Sequence, residues 1–154
     1  MSADNVGLVR AFFAWLPSLG DVNPSDDLAT LDRAFRDYLA EEFETRLPGD
    51  YPEGEPVFRG REGLARFAAM LRDAWSEWRF EPERFIEAGD RVVVFQRVVA
   101  TGRASGAPIE LTSTQVVTVR DGRITSSCVY RDRASGSRGL QSTRSKTSLC
   151  AGAS

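Results

Sequence analysis

The spacing of apolar side chains changes from a helical period in the first half of the chain to alternation in the second half. Residues 5–19, 26–42 and 60–78 each carry apolar side chains three and four positions apart, which predicts three amphipathic helices. Residues 43–47 alternate and predict a short strand. Residues 48–56 are rich in proline and glycine and predict a loop.

The second half of the chain predicts a series of long strands. Residues 79–88, 91–100, 109–120 and 123–131 have strand character, and Asp121-Gly122 is a strong hairpin signal between the last two. Helices followed by a run of strands favour an α+β fold over a parallel α/β fold. If the antiparallel or mixed sheet curves strongly around the three N-terminal helices, it forms a cone whose open end is a natural small-molecule pocket.

The composition changes near residue 133. All 22 acidic residues and 17 of the 20 basic residues precede this point, so residues 1–133 are acidic and residues 134–154 are basic. The last segment is rich in serine and glycine and has few large apolar side chains, too few to offset the entropy of ordering it alone. We therefore expect a single domain at 1–133 and a flexible tail at 134–154.

Composition also excludes several kinds of chemistry and partner. The chain has no histidine, which excludes a Ser-His-Asp triad, a Cys-His pair and an imidazole-based zinc site. A net charge of −2 argues against nucleic-acid binding, and no apolar stretch is long enough to span a membrane. Two cysteines are too few for a secreted disulfide framework. We expect a cytoplasmic protein without metal or cofactor.

Aromatic side chains are the first candidates for the lining of the pocket. Each of them has an equally simple interpretation as an ordinary core residue. The candidates are Phe12, Phe13, Phe35, Tyr38, Phe43, Phe67, Trp75, Trp78 and Phe95.

Two polar side chains inside otherwise apolar strands are the next candidates, because burying them costs free energy unless they find partners. Strand alternation places Arg97 on the same face as Phe95, and a concave face there would point the guanidinium into the pocket. Alternatively, Arg97 faces solvent or pairs with Glu44 or Glu110. Gln115 is either a polar lining residue or a satisfied amide in the core.

Several segments resemble SnoaL-like proteins of the nuclear transport factor 2-like superfamily. Residues 57–64 resemble the entry to the third helix of that family. Residues 78–82 and 89–94 resemble its next strand pair, and residues 119–124 and 130–133 resemble its final hairpin and exit.

This resemblance implies a cone-shaped α+β fold, commonly dimerised through the sheet. The superfamily includes polyketide cyclases, ketosteroid isomerase, limonene-epoxide hydrolase, scytalone dehydratase and members without known activity. It therefore implies either lyase, isomerase or cyclase chemistry on a carbonyl compound, or a non-catalytic module for ligand binding or dimerisation.

The resemblance also locates the family's catalytic positions in this chain. The general base of the isomerases corresponds to Leu47, their tyrosine lies near Phe12, and their protonated acid lies near Gln115. Of these three, only Gln115 retains a group that can donate a hydrogen bond to an oxyanion.

The epoxide-hydrolase positions correspond to Arg97, Val99 and Val129, so the arginine is retained and both aspartates are lost. We expect the cone to hold a small apolar molecule, with Arg97 and Gln115 as weak catalytic candidates. The expected ligand pocket comprises Phe13, Tyr38, Phe67, Trp75, Trp78, Phe95, Arg97, Gln115 and Val129.

Overall fold

The computed structural model describes residues 2–17, 29–47 and 57–130. The helices in this part of the chain are α1 (Ser2–Trp15), α2 (Ala29–Asp37) and α3 (Gly60–Ala74). The strands are β1 (Leu39–Arg46), β2 (Val57–Arg59), β3 (Trp75–Ala88), β4 (Arg91–Gly102), β5 (Pro108–Arg120) and β6 (Arg123–Tyr130). The predicted tail at 134–154 lies outside the described residues, so the division of the chain into domain and tail stays a prediction.

The strands form one curved, unclosed sheet in the order β2-β1-β6-β5-β4-β3. All neighbouring strands are antiparallel except β1 and β6, which run parallel and make the sheet mixed. The register of β3 on β4 shifts between Pro82 and Arg84, where proline cannot donate a ladder hydrogen bond. The predicted α+β cone is confirmed.

The helices cover one face of this sheet, which we call the concave face. Alternate residues of the central strands point into the main core there, including Val92 and Val94 of β4 and Val117 of β5. The residues between them form a second, smaller buried cluster on the opposite, convex face. That cluster comprises Val93, Phe95, Val116, Cys128 and Tyr130.

Two helices end earlier than their apolar spacing predicts. We expected α2 to reach residue 42 and α3 to reach residue 78, but they end at Asp37 and Ala74. Arg123 of β6 donates hydrogen bonds to the carbonyls of Phe35 and Arg36 at 3.0 and 2.7 Å.

The end of α3 has a similar arrangement. The backbone N–H of Arg103 donates to the carbonyl of Ala74, and its guanidinium donates to the carbonyls of Arg72 and Trp75. An arginine distant in sequence therefore satisfies the free carbonyls at the end of each helix, and the next residues are free to join the sheet.

Candidate functional site

A cavity of about 620 Å³ lies between the concave face of the sheet and helices α1 and α3. Its walls are mostly apolar, and six aromatic residues contribute to them: Phe12, Phe43, Phe67, Trp75, Phe80 and Tyr130. The volume lies in the range of pockets that enclose small organic ligands, about 300–1,000 Å³.

The rim of the cavity is formed at the start of β5. Glu110, Leu111 and Thr112 line it there, and all three residues are exposed. Leu111 is the one large apolar side chain classed as exposed in the described part of the chain, at 48%. Its position at the rim extends the apolar wall of the cavity towards solvent.

Polar side chains cross the floor of the cavity in a line from β4 to β1. We call this set the polar belt, and it consists of Gln96, Ser113, Gln115, Ser127 and Thr45. Gln96 of β4 pairs with Ser113 of β5, and Thr45 of β1 pairs with Ser127 of β6. Gln115 lies two residues after Ser113 on β5, on the same face of the sheet. The belt is therefore a product of strand register across four strands that are adjacent in the sheet.

Hydrogen bonds within the belt orient the two amides. The Nε2 of Gln96 donates to the Oγ of Ser113 at 2.9 Å, and the Oγ of Ser127 donates to the Oε1 of Gln115 at 2.6 Å. The Oγ1 of Thr45 donates to the backbone carbonyl of Ser127 at 3.1 Å. These contacts hold each glutamine side chain by one atom of its amide and leave the other atom available.

The available atoms differ in chemistry. The Oε1 of Gln96 is buried and has no hydrogen-bond partner. The Oε1 of Gln115 accepts from Ser127, and no acceptor for its Nε2 is found among the described residues. The floor of the cavity thus presents one acceptor, on β4, and one donor, on β5.

Four of the residues predicted for the pocket line this cavity. They are Phe67 of α3, Trp75 at the start of β3, Gln115 of β5 and Val129 of β6. That these four contact a ligand stays a prediction.

Four aromatic residues predicted for the pocket are not among the residues that line this cavity. Phe13 is buried in the main core against Phe85, with ring centroids 6.0 Å apart. Tyr38 and Trp78 are partly buried and pack against the same core. Phe95 belongs to the cluster on the convex face. The physical reason is that an aromatic residue in a small domain is more often needed to fill the core than to line a pocket.

Arg97 also lies outside the cavity, contrary to our expectation that its guanidinium points inwards. It is on the convex side of β4, where it bonds Glu81 of β3 at 2.8 Å and Glu110 of β5 at 3.2 Å. The alternation that groups Arg97 with Phe95 is correct, but their shared face is the convex one. Pairing with Glu110, the alternative role for this arginine, is the arrangement observed.

The ion pair has a consequence for the protonation of Glu81. The hydrogen bond from Arg97, assisted by the charges of Arg97 and Arg79, holds the pKa of the Glu81 carboxyl below its ordinary value. The same contact raises the pKa of Arg97, so the pair stays charged across the neutral range. Because both side chains are partly exposed to solvent, salt screens the interaction between them.

We expect the Arg97→Gln substitution to weaken the fold slightly at neutral pH and not in acid. A carboxyl with a lowered pKa stabilises the folded state above its unfolded-state pKa, and this stabilisation is lost as the pH falls through the lower, folded-state value. Urea unfolding of both proteins at neutral and acidic pH will measure the difference. If the two proteins differ in free energy of unfolding by the same amount at both pH values, the stabilising role of the Arg97–Glu81 ion pair is contradicted.

Proton-transfer groups are few around the cavity. Within the described lining, Glu110 is the sole carboxylate, and it is held at the rim by Arg97. The positions that correspond to the family's general base and tyrosine, Leu47 and Phe12, do line the cavity as apolar residues. Val129 lines it too, whereas Val99 is not among the lining residues.

No group of three or more Cys, Asp or Glu side chains in the described ranges is placed to hold a metal ion. None of the helices described above is long and apolar enough to cross a membrane.

Gln96 is the functional candidate that sequence reasoning missed. It is 3% exposed and lies on the concave face between Val94 and Val98. A lone amide in an apolar strand was a visible signal, equal to that of its neighbour Arg97. Choosing between these neighbours requires knowledge of which face of β4 is concave. Thr45 and Ser127 gave no signal, because small hydroxyl residues are common in strands.

The fold and the cavity together define a cone-shaped protein of the nuclear transport factor 2-like class. The sequence profile of the SnoaL-like domain matches residues 9–127. The chain belongs to the SnoaL-like family, and the resemblance noted in the sequence is confirmed. None of the curated proteins matches the sequence.

Solved structures show the same fold. TerC, crystallised with polyporic acid, is 25% identical, with a TM-score of 0.66 over 84% of this chain and 92% of that one. A protein described as a SnoaL-like polyketide cyclase from Jannaschia sp. CCS1 is 18% identical, with a TM-score of 0.64 over 100% and 95% of the two chains.

A third similar structure comes from Catenulispora acidiphila. It is a protein of ketosteroid isomerase-like fold in complex with trimethylamine, 18% identical, with a TM-score of 0.58 over 76% of this chain and 81% of that one.

Proposed function

We propose that the protein binds a small, largely apolar molecule in the cone cavity. The observation that carries this proposal is the cavity of about 620 Å³, whose apolar walls enclose a floor of ordered polar side chains. Apolar walls supply affinity by removing ligand surface from water, and a few fixed polar groups supply orientation. TerC with polyporic acid and the Catenulispora protein with trimethylamine support small-molecule binding in this fold.

Binding is better supported than acid–base catalysis. The polar belt consists of amides and hydroxyls. These groups do not ionise near neutral pH and are therefore poor general acids or bases. The carboxylate of Glu110 lies at the rim and is engaged by Arg97. Lyase, isomerase or cyclase chemistry on a carbonyl compound would depend on the amide of Gln115 as the donor to a developing oxyanion.

The assembly and location of the protein stay predictions. We retain the homodimer through the sheet and the cytoplasmic location as expectations drawn from the resemblance and the composition. The apolar residues of the convex face are already buried within the single chain, so they do not by themselves argue for a dimer.

A pair of adjacent residues in β4 provides the test of the binding site. Val98 lines the cavity, whereas Val99 lies on the other side of the strand. We expect Val98→Phe to fill part of the cavity and to weaken ligand binding at least about tenfold, or ~1.4 kcal/mol. Val99→Phe adds the same bulk to the convex side and should leave binding unchanged.

The measurement is a ligand-dependent rise in melting temperature followed by calorimetric titration, with a panel of aromatic ketones of one to three rings. At least one member should stabilise the wild type in a saturable manner. A panel in which no member binds would contradict the proposal, and so would equal loss in the two variants.

A further inference from the structure

The buried carbonyl oxygen of Gln96 is an acceptor without a donor. It lies in a side chain that is 3% exposed and lines the floor of the cavity. Leaving a buried polar atom unpaired costs about 1–3 kcal/mol, so such atoms in folded proteins usually have a partner. The Nε2 of the same amide is engaged by Ser113, which keeps the oxygen from using that hydroxyl.

The neighbouring amide of Gln115 offers the complementary group. Its oxygen accepts from Ser127, so its Nε2 is the atom left for a ligand. In the ladder Val94 pairs with Gln115 and Gln96 pairs with Ser113, which makes the two glutamines diagonal neighbours on the concave face. Diagonal neighbours lie about 7–8 Å apart, a separation that one small molecule can bridge with two oxygen atoms.

Charge narrows the ligand class. Among the described lining residues there is no Arg or Lys, and Arg97, which sequence reasoning placed in the cavity, is bonded to Glu81 and Glu110 on the other face of the sheet. An ionised ligand would lose its hydration without gaining a counter-charge at this floor. A neutral polar end meets no such cost.

We propose that the ligand is a neutral apolar molecule with a hydroxyl group that donates to Gln96 and a carbonyl group that accepts from Gln115. This inference rests on the proposed binding function and adds the chemical class of the ligand. The ligand hydroxyl donates to the unpaired Oε1 of Gln96, and the ligand carbonyl accepts from the Nε2 of Gln115. The two glutamines therefore select for a polar end on the ligand and fix its orientation.

Four bicyclic probes of nearly the same size separate the two contacts. Tetralin carries neither group, 1-tetralol carries the hydroxyl, 1-tetralone carries the carbonyl, and 4-hydroxy-1-tetralone carries both. In the wild type we expect each added group to tighten binding about fivefold to tenfold, as measured by calorimetric titration.

Two conservative variants assign the groups to residues. Gln96→Met and Gln115→Met keep the length of the side chain and remove its amide. Gln96→Met should abolish the advantage of 1-tetralol over tetralin and leave that of 1-tetralone intact, and Gln115→Met should do the reverse. A variant that acts only through the fold would weaken all four probes equally.

The outcomes separate this inference from the function on which it rests. If all four probes bind the wild type equally, the cavity binds apolar molecules and the hydroxyl–carbonyl assignment is overturned. If Gln96→Met affects 1-tetralone instead of 1-tetralol, the assignment of the acceptor is overturned. If none of the probes, tetralin included, binds, the proposed function itself fails for this class of compound and the inference fails with it.

Discussion

Replacing Phe43 with alanine is expected to lower the free energy of unfolding by about 3–5 kcal/mol. The side chain is 2% exposed and is among the largest fully enclosed side chains described. Its ring packs edge-on against Phe12 and Phe35, with centroids 6.3 Å apart in each case. The ring belongs to β1 and packs against both α1 and α2. Removing it leaves a void that a shift of any one of these elements does not fill.

Phe85→Ala provides the comparison for this prediction. Phe85 is a partly buried ring on the edge strand β3, where it contacts Phe13 and the guanidinium of Arg10. Folding removes less apolar surface from water at a partly exposed ring. We therefore expect a smaller loss in the free energy of unfolding, about 1–2 kcal/mol. Urea unfolding at equilibrium measures both. A loss at Phe43 no greater than that at Phe85 would show that the aromatic cluster does not anchor the core.

The second large effect is expected at Gly63, in the first turns of α3. A Cβ atom there would lie 2.6 Å from the carbonyl carbon of Phe58 and 3.1 Å from its Cα, both in the backbone of β2. Backbone atoms cannot move aside as a side chain can, so Gly63→Ala must displace the helix from the strand. We expect a net loss of about 1–3 kcal/mol in spite of the helix propensity that alanine gains.

Gly7→Ala is the matched control. Gly7 is also inside a helix, is exposed, and has no atom within 4 Å of an added Cβ. There the substitution should stabilise the protein by up to about 1 kcal/mol, because alanine loses less conformational freedom on folding. The two variants should therefore change the urea midpoint in opposite directions. A stabilising effect at Gly63 would contradict the close packing of α3 on β2.

Alternation along β4 predicted correctly that Arg97 lies on the same face as Phe95. The same period of two places Ser113 and Gln115 of β5 together in the cavity lining. Alternation did not indicate which of the two faces of β4 is the concave one. Residues 92–95 of β4 are apolar on both sides, so neither face is marked as the exposed one, and Arg97 was assigned to the cavity in place of Gln96.

The ends of the helices show the same limit. The apolar spacing of residues 39–42 and 75–78 is compatible with a helix, and nothing local ends α2 at Asp37 or α3 at Ala74. The capping groups are Arg123, which follows the β5–β6 turn, and Arg103, which follows β4. Only folding brings these guanidinium groups to the carbonyls they satisfy.

The sequence by itself determined the α+β class, the order of helices and strands, the SnoaL-like family and the partition of each strand into two faces. These properties depend on local periodicity and on short motifs. The tertiary structure alone decided which face became the cavity floor and which helix ends were capped. It also decided that Gln96 and Gln115 are diagonal neighbours on the cavity floor. The physical reason is that curvature and register arise from contacts between segments distant in sequence, and the chemistry of the site depends on both.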